Sequence, residues 1–154
     1  YSPWQRELYG FMVQYHKAVI KRIRPGVTPE QIMDGARAEM EEVLKNTKFS
    51  KPIYEKAARS TGGHMSHAVG MQVHDVGGPR GPLKPGTVFA VDPQMWVREE
   101  NLYIRIEDTV LVTEDGVEIL TGSAPWELDD VEKLMKEEGM VQKYPPVFGA
   151  REKP

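Results

Sequence analysis

The hydrophobic period of this chain changes near Thr61, and that change limits the fold it can adopt. Before it, apolar residues recur at helical spacing; after it, they alternate as in strands. Leu8, Phe11, Met12, Tyr15, Val19 and Ile23 form one stripe, so Pro3 to Arg24 is expected to be an amphipathic helix ended by Pro25-Gly26. Thr28-Pro29-Glu30-Gln31 has the residues of a capping box with proline at the first helical position. Ile32, Ala36, Met40 and Leu44 carry that second helix to about Asn46, and a shorter third is expected over Lys51 to Ser60. Val69, Met71 and Val73 read as a strand closed by Gly77-Gly78. Thr87 to Asp92 reads as another and Leu102 to Thr113 as a third, with Val117 to Leu120 returning after the turn Glu114-Asp115-Gly116. A last helix is expected over Glu127 to Glu138, stopped by Gly139. Helices followed by an antiparallel sheet make an α+β fold.

The chain has 154 residues, 40% hydrophobic and 28% charged, enough for one domain with a real core and too few for two of ordinary size. Residues 1–142 read as that domain, and 143–154, rich in proline and charge, as a surface or mobile tail. A net charge of -3 gives no footprint for nucleic acid. Without cysteine there is neither a disulfide nor a thiolate metal site, and the compartment stays open between cytoplasmic and exported. No apolar run approaches the roughly eighteen residues that would span a membrane. The chain starts at Tyr1 with neither methionine nor signal sequence, as a processed or truncated piece would.

The chemistry concentrates in the second half. If Arg98-Glu99-Glu100-Asn101 is a hairpin loop, positions whose numbers sum to 199 face each other, and Trp96 meets Tyr103 in a register-fixing aromatic pair. The same register sets Asp92 opposite Glu107, with β-carbons roughly 4.5–5.5 Å apart. Two carboxylates that close repel unless a shared proton, an arginine or a metal cation compensates, and Arg105 lies on the same face. Asp108, on the other face, reads as a surface or turn acid, and His16 as a structural or surface residue of the first helix. In SHAVGMQVHD, a straight strand would hold His67 and His74 roughly 23 Å apart and on opposite faces, so one site can use both only if the chain bends, and Gly70 is where it can. Imidazole with carboxylates suits Mn²⁺, Fe²⁺, Co²⁺ or Zn²⁺. His64, among glycines, is a further candidate or an exposed loop residue.

Ser66-His67 through His74-Asp75, Pro85-Gly86-Thr87-Val88-Phe89-Ala90-Val91-Asp92-Pro93, Tyr103-Ile104-Arg105-Ile106-Glu107-Asp108-Thr109-Val110 and Thr113-Glu114-Asp115-Gly116 stand in the order found in pita-bread metallopeptidases. The sequence resembles aminopeptidase P and prolidase, which cleave the bond before proline; Gln5 to Tyr9 and Ile23 to Thr28 are similar to helical segments of that family. The resemblance, which runs to about Glu138, implies that His67 ligates metal, that Glu107 bridges two ions, and that Asp92 stands where the family usually has a glutamate ligand. It implies that His74 contacts substrate and stabilises the tetrahedral intermediate, that Arg105 supports the bridging carboxylate, and that a hydroxide activated by two divalent ions attacks the peptide carbonyl. A proline-containing peptide is the implied substrate, with manganese, cobalt, iron or zinc as the ions.

The sequence also departs from that pattern. The family's other two ligands are aspartates ahead of the first helix, and none remains here, so the chain resembles the second half of the pita-bread fold and a partial catalytic domain. Such a half holds one ion or none, is expected to be inactive alone, and is expected to self-associate as a homo-oligomer or to join a missing N-terminal half. Val69, Met71 and Val73 are then either the face such a partner covers or simply core. Asp92 is one methylene shorter than glutamate, a loss of roughly 1.5 Å of reach. Gly63 stands where aminopeptidase P and prolidase have another histidine, with His64 one place along, which leaves His64's substrate-binding role open. The alternatives are a metal-free, creatinase-like amidinohydrolase and a ligand- or partner-binding module without catalysis.

Overall fold

In a computed structural model that describes residues 1–62 and 65–144, three helices come first and six short strands follow. Helix α1 (Pro3–Ile20) starts on a complete capping box: Ser2 Oγ accepts the Gln5 N–H, and the Gln5 side chain accepts the Ser2 N–H. Helix α2 (Pro29–Asn46) repeats the device with Thr28 and Gln31, as its sequence predicts. Helix α1 stops at Ile20, short of the expected Arg24, and two further turn bonds carry the chain through Ile23. Helix α3 spans Pro52–Arg59.

Strands β1 (Ser66–Ala68), β2 (Val88–Val91), β5 (Asp108–Val112) and β6 (Val117–Ile119) form one antiparallel sheet in the order β1-β2-β5-β6. Strands β3 (Gln94–Val97) and β4 (Leu102–Arg105) form a separate hairpin. Its loop is a short 3₁₀ turn over Arg98–Glu100, closed by Asn101 at φ 52°, a left-handed conformation that asparagine tolerates. The expected register holds throughout: Trp96 pairs with Tyr103 and Gln94 with Arg105, and beyond the gap Val91 pairs with Asp108. The single strand expected over 102–113 is instead two, β4 and β5, separated at Ile106-Glu107; on the facing chain, Asp92-Pro93 divides β2 from β3. Proline has no N–H to give a ladder, so pairing fails there.

The core lies between the helices and the sheets. Leu8, Phe11, Met12 and Val19 of α1 pack with Ile32, Ala36 and Met40 of α2, Tyr54 of α3, and Phe89, Val91, Met95 and Val110 of the strands. The strand expected at Val69–Val73 does not form. After Ala68 the chain turns back on itself, Met71 is 100% exposed and Val73 and Val76 project as well, so the core reading of Met71 and Val73 is overturned. The last helix is also shorter than expected: α4 covers Leu128–Leu134, and Gly139, rather than stopping it, precedes a further short helix α5 (Met140–Lys143). Most of the expected tail, residues 145–154, lies outside the described residues. Among the described residues no helix is long and apolar enough to cross a membrane.

Candidate metal centre

The candidate side chains meet where the two ladders separate. Asp92 follows β2, and its N–H donates to the Met65 carbonyl at 3.0 Å, which fixes the backbone just before Pro93 breaks the ladder. Glu107 stands in the gap between β4 and β5, flanked by pairs of one register. Arg105, the last residue of β4, reaches both acids: its guanidinium is 2.9 Å from Glu107 Oε2 and 3.6 Å from Asp92 Oδ2. Asp92 is 1% exposed, and the Gln94 amide donates to its Oδ2 at 3.1 Å. Of the three compensations open to facing carboxylates, the chain thus supplies the arginine itself.

His67, in β1, completes the cluster. Its Nδ1 lies 3.0 Å from the Ala68 carbonyl, which can only accept, so Nδ1 carries a proton and Nε2 is the nitrogen turned toward Glu107 Oε1 at 3.2 Å. Burial opposes charge on this ring, but the Ala68 carbonyl, Glu107 and Asp92 outweigh it and hold the pKa above its ordinary value. A backbone carbonyl on Nδ1 also selects the tautomer in which Nε2 can ligate a cation.

His74 reaches the cluster through the reversal at Gly70. The Asp75 N–H donates to the Ala68 carbonyl at 3.1 Å, and the Asp75 carboxylate accepts the Val76 and Met71 N–H groups at 2.8 Å each. Those bonds, Val76 first and then Met71, hold the Asp75 pKa below the usual carboxylate value. A β-carbon at Gly70 would lie 2.2 Å from Asp75 Oδ2, so only glycine lets the carboxylate close the turn. The result is an edge-to-face contact of the His67 and His74 rings, centroids 4.4 Å apart. His64 and Gly63 lie outside the described residues.

One imidazole and two carboxylates are donors of the right chemistry for a divalent transition ion. With Arg105 between the acids and Glu107 on His67, however, no group of three or more His, Cys, Asp or Glu among the described residues is arranged to hold a metal ion. Donor chemistry fits; a complete ligand shell is not assembled. Beside Gln94 opens a hollow of about 350 Å³ lined by Lys56, Thr61, Gln94, Trp96 and Arg98.

Residues 1–114 match the sequence model of metallopeptidase family M24. The chain belongs to that family. Among curated relatives, this M24 chain is 35% identical over 148 residues to the mitochondrial intermediate cleaving peptidase 55 of Arabidopsis thaliana, and covers 29% of it with 88% of its own length. It is 35% identical over 145 residues to Xaa-Pro aminopeptidase 3 of Mus musculus, again 29% of that protein against 84% of this one. Among solved structures it superposes on aminopeptidase P from E. coli with the inhibitor Pro-Leu at a TM-score of 0.70 and 27% identity, covering 88% of this chain and 35% of the other. The M24 chain thus spans about a third or less of the relatives it matches.

Sequence reasoning missed two features of this M24 site. Gln94 was legible as a neighbour of Asp92, because it stands two residues on, on the same face, and opposite Arg105 in the same register. Asp108, expected at the surface, is 2% exposed and bonded to the equally buried His16. Its alternation with Val110 and Val112, both buried, was the available signal.

Proposed function

We propose that these residues contribute part of the metal centre of a peptidase that cleaves the bond before proline. The observation that carries the reading is Glu107 set between His67 Nε2 and Arg105, opposite Asp92 at the break in the sheet. The names of relatives, Xaa-Pro aminopeptidase 3 among them, support the substrate class, as does an aminopeptidase P inhibited by Pro-Leu. His67 Nε2, Asp92 and Glu107 are the groups that would hold manganese, cobalt, iron or zinc. Ions so bound lower the pKa of water and polarise a carbonyl.

The remaining roles belong to the chain. Arg105 neutralises and orients both carboxylates, so that Glu107 presents one oxygen toward His67 while the other stays on the guanidinium. His74, exposed and against the His67 ring, is the imidazole whose N–H would donate to the oxygen of a substrate carbonyl as charge develops on it. Three protein donors cannot hold two ions alone, so a second ion would need donors beyond His67, Asp92 and Glu107.

Calorimetric titration of the chain with Mn²⁺, with His67→Ala as control, tests this. One ion in the chain and none in the control is the expected result, with negligible hydrolysis of Xaa-Pro peptides by these residues alone. Two tightly bound ions would show that the site is complete within them. Equal binding by chain and control would remove His67 as a ligand.

A further inference from the structure

Behind the site, on the opposite face of β5, lies a buried polar group with no evident use. Asp108 Oδ2 is 2.8 Å from His16 Nε2 on α1, and its Oδ1 accepts the Thr121 hydroxyl at 2.5 Å. Thr121 follows β6, and its Oγ1 also accepts the Thr109 N–H at 3.1 Å. The His16 ring lies edge-on to Trp126, centroids 5.4 Å apart, and the Trp126 carbonyl accepts from the Tyr9 hydroxyl of α1 at 3.0 Å. Three parts of the chain, α1, β5 and the segment after β6, therefore meet at one carboxylate.

This is a costly way to fill a core. His16 is 0% exposed, and its Nδ1 has no hydrogen-bond partner among the described residues. Burial pushes the ring below its ordinary pKa against the pull of Asp108, so a neutral imidazole donates from Nε2 to the acid. Apolar residues at these positions would pack without burying polar groups. What the polar group supplies is position. Asp108 is the first paired residue of β5, opposite Val91, and Glu107 just before it lies outside both ladders. Side chains alternate across a strand, so Asp108 held from behind fixes the direction in which Glu107 leaves the backbone on the other face.

We propose that His16, Asp108 and Thr121 are positioning residues for Glu107, which they aim at His67 and Arg105. The consequence for metal binding rests on the function proposed above; the geometric part does not. Groups behind a metal ligand commonly change affinity by about 10- to 100-fold when removed.

The experiment reads the His67 ring nitrogens by ¹⁵N NMR in the metal-free chain, together with Mn²⁺ affinity and thermal stability, in His16→Leu, His16→Gln, Thr121→Val and the reference Glu107→Gln. Loss of aim at Glu107 moves the His67 Nε2 resonance of His16→Leu toward its position in Glu107→Gln, and weakens Mn²⁺ binding by about 10- to 100-fold. His16→Gln, whose amide nitrogen reaches near the place of Nε2, recovers most of both. Thr121→Val, which removes one hydroxyl, shifts the resonance the same way by less, and carries the test if His16→Leu does not fold. Folded variants with the His67 resonance at its wild-type position overturn the proposal. If the resonance moves but Glu107→Gln binds Mn²⁺ as the wild type does, the positioning stands and the metal reading fails.

Discussion

Replacing Arg105 with glutamine separates the electrostatics of this site from its packing. In the wild type the guanidinium lies 2.9 Å from Glu107 Oε2 and 3.6 Å from Asp92 Oδ2, one cation serving two acids. Facing positions of an antiparallel pair put the acids about 5 Å apart. Two unit charges at that distance repel by about 3 kcal/mol at an effective dielectric of 20, and by under about 1 kcal/mol in water. Asp92 is buried but the Glu107 side chain is 33% exposed, so the repulsion that Arg105 offsets falls between those limits, at about 1–3 kcal/mol. For a chain of this size that is a fall in Tm of roughly 2–12 °C.

The assay is thermal unfolding with and without Mn²⁺. Arg105→Gln is expected to melt lower than the wild type in chelator, and to gain more from Mn²⁺, since the ion then meets two carboxylates without a competing guanidinium. An ion present at about 100 times its Kd adds about 2.7 kcal/mol. Arg105→Gln/Asp92→Asn should recover most of the loss, because the repulsion goes with the second charge. An unchanged Tm in Arg105→Gln would mean that the acids do not face each other as the register implies. Equal stabilisation of both proteins by Mn²⁺ would refute the idea that arginine and metal compete for one place.

Other perturbations reach the elements that carry the site. His16 has a folded pKa held below its ordinary value by burial, with Asp108 opposing and Thr121 and Trp126 nearby. The unfolded ring therefore protonates first: this contribution is fully present above about pH 6.5 and is lost as pH falls toward the folded value, by at most about 1.4 kcal/mol per pH unit. Urea melts should show that slope in the wild type and a flatter one in His16→Gln; equal slopes would exclude His16 as its source. Gly62 has φ +104°, and a β-carbon there would sit 1.9 Å from the buried Tyr15 hydroxyl, so Gly62→Ala should cost about 1–3 kcal/mol in urea unfolding. A near-neutral result would show that the loop ahead of β1 relaxes freely. Gly70→Ala, by contrast, displaces the Asp75 carboxylate in an exposed turn, so nuclear Overhauser contacts between the His67 and His74 rings should vanish with little change in Tm. Persistence of those contacts would mean that Asp75 does not hold the turn.

Much of this was legible in the sequence because it is local or periodic. The two capping boxes need only residues three apart, and both helices begin where Ser2 and Thr28 place them. The hairpin register needs only the loop and the Trp96–Tyr103 pair, and it extends across the gap to Val91 and Asp108. The segment 69–73 failed because Val69, Met71 and Val73 alternate as in a strand, and alternation does not say whether a partner is present. What decides it is tertiary and small in scale, a carboxylate at Asp75 that satisfies two N–H groups and fits only against a glycine. Asp108 failed for the opposite reason: its charge suggested the surface, while its partner, His16, lies ninety-two residues away.

The break in the sheet explains why the chemistry gathers where it does. Within a ladder, side chains stand at fixed intervals and facing carboxylates are held at repulsive distance. Where Pro93 ends the pairing, Asp92 and Glu107 remain in register through the pairs on either side, yet their own backbones are outside the ladders. They therefore stay near each other and can still turn toward a common partner. In the chain as it stands, that partner is Arg105 for both acids and His67 for Glu107. A divalent cation would satisfy the same charges, so the arrangement that makes the metal-free site stable is also the one a metal must displace. Residues that hold Glu107 from behind then decide how readily that exchange occurs, which is why the variants at His16 and Thr121 matter as much as those at the ligands.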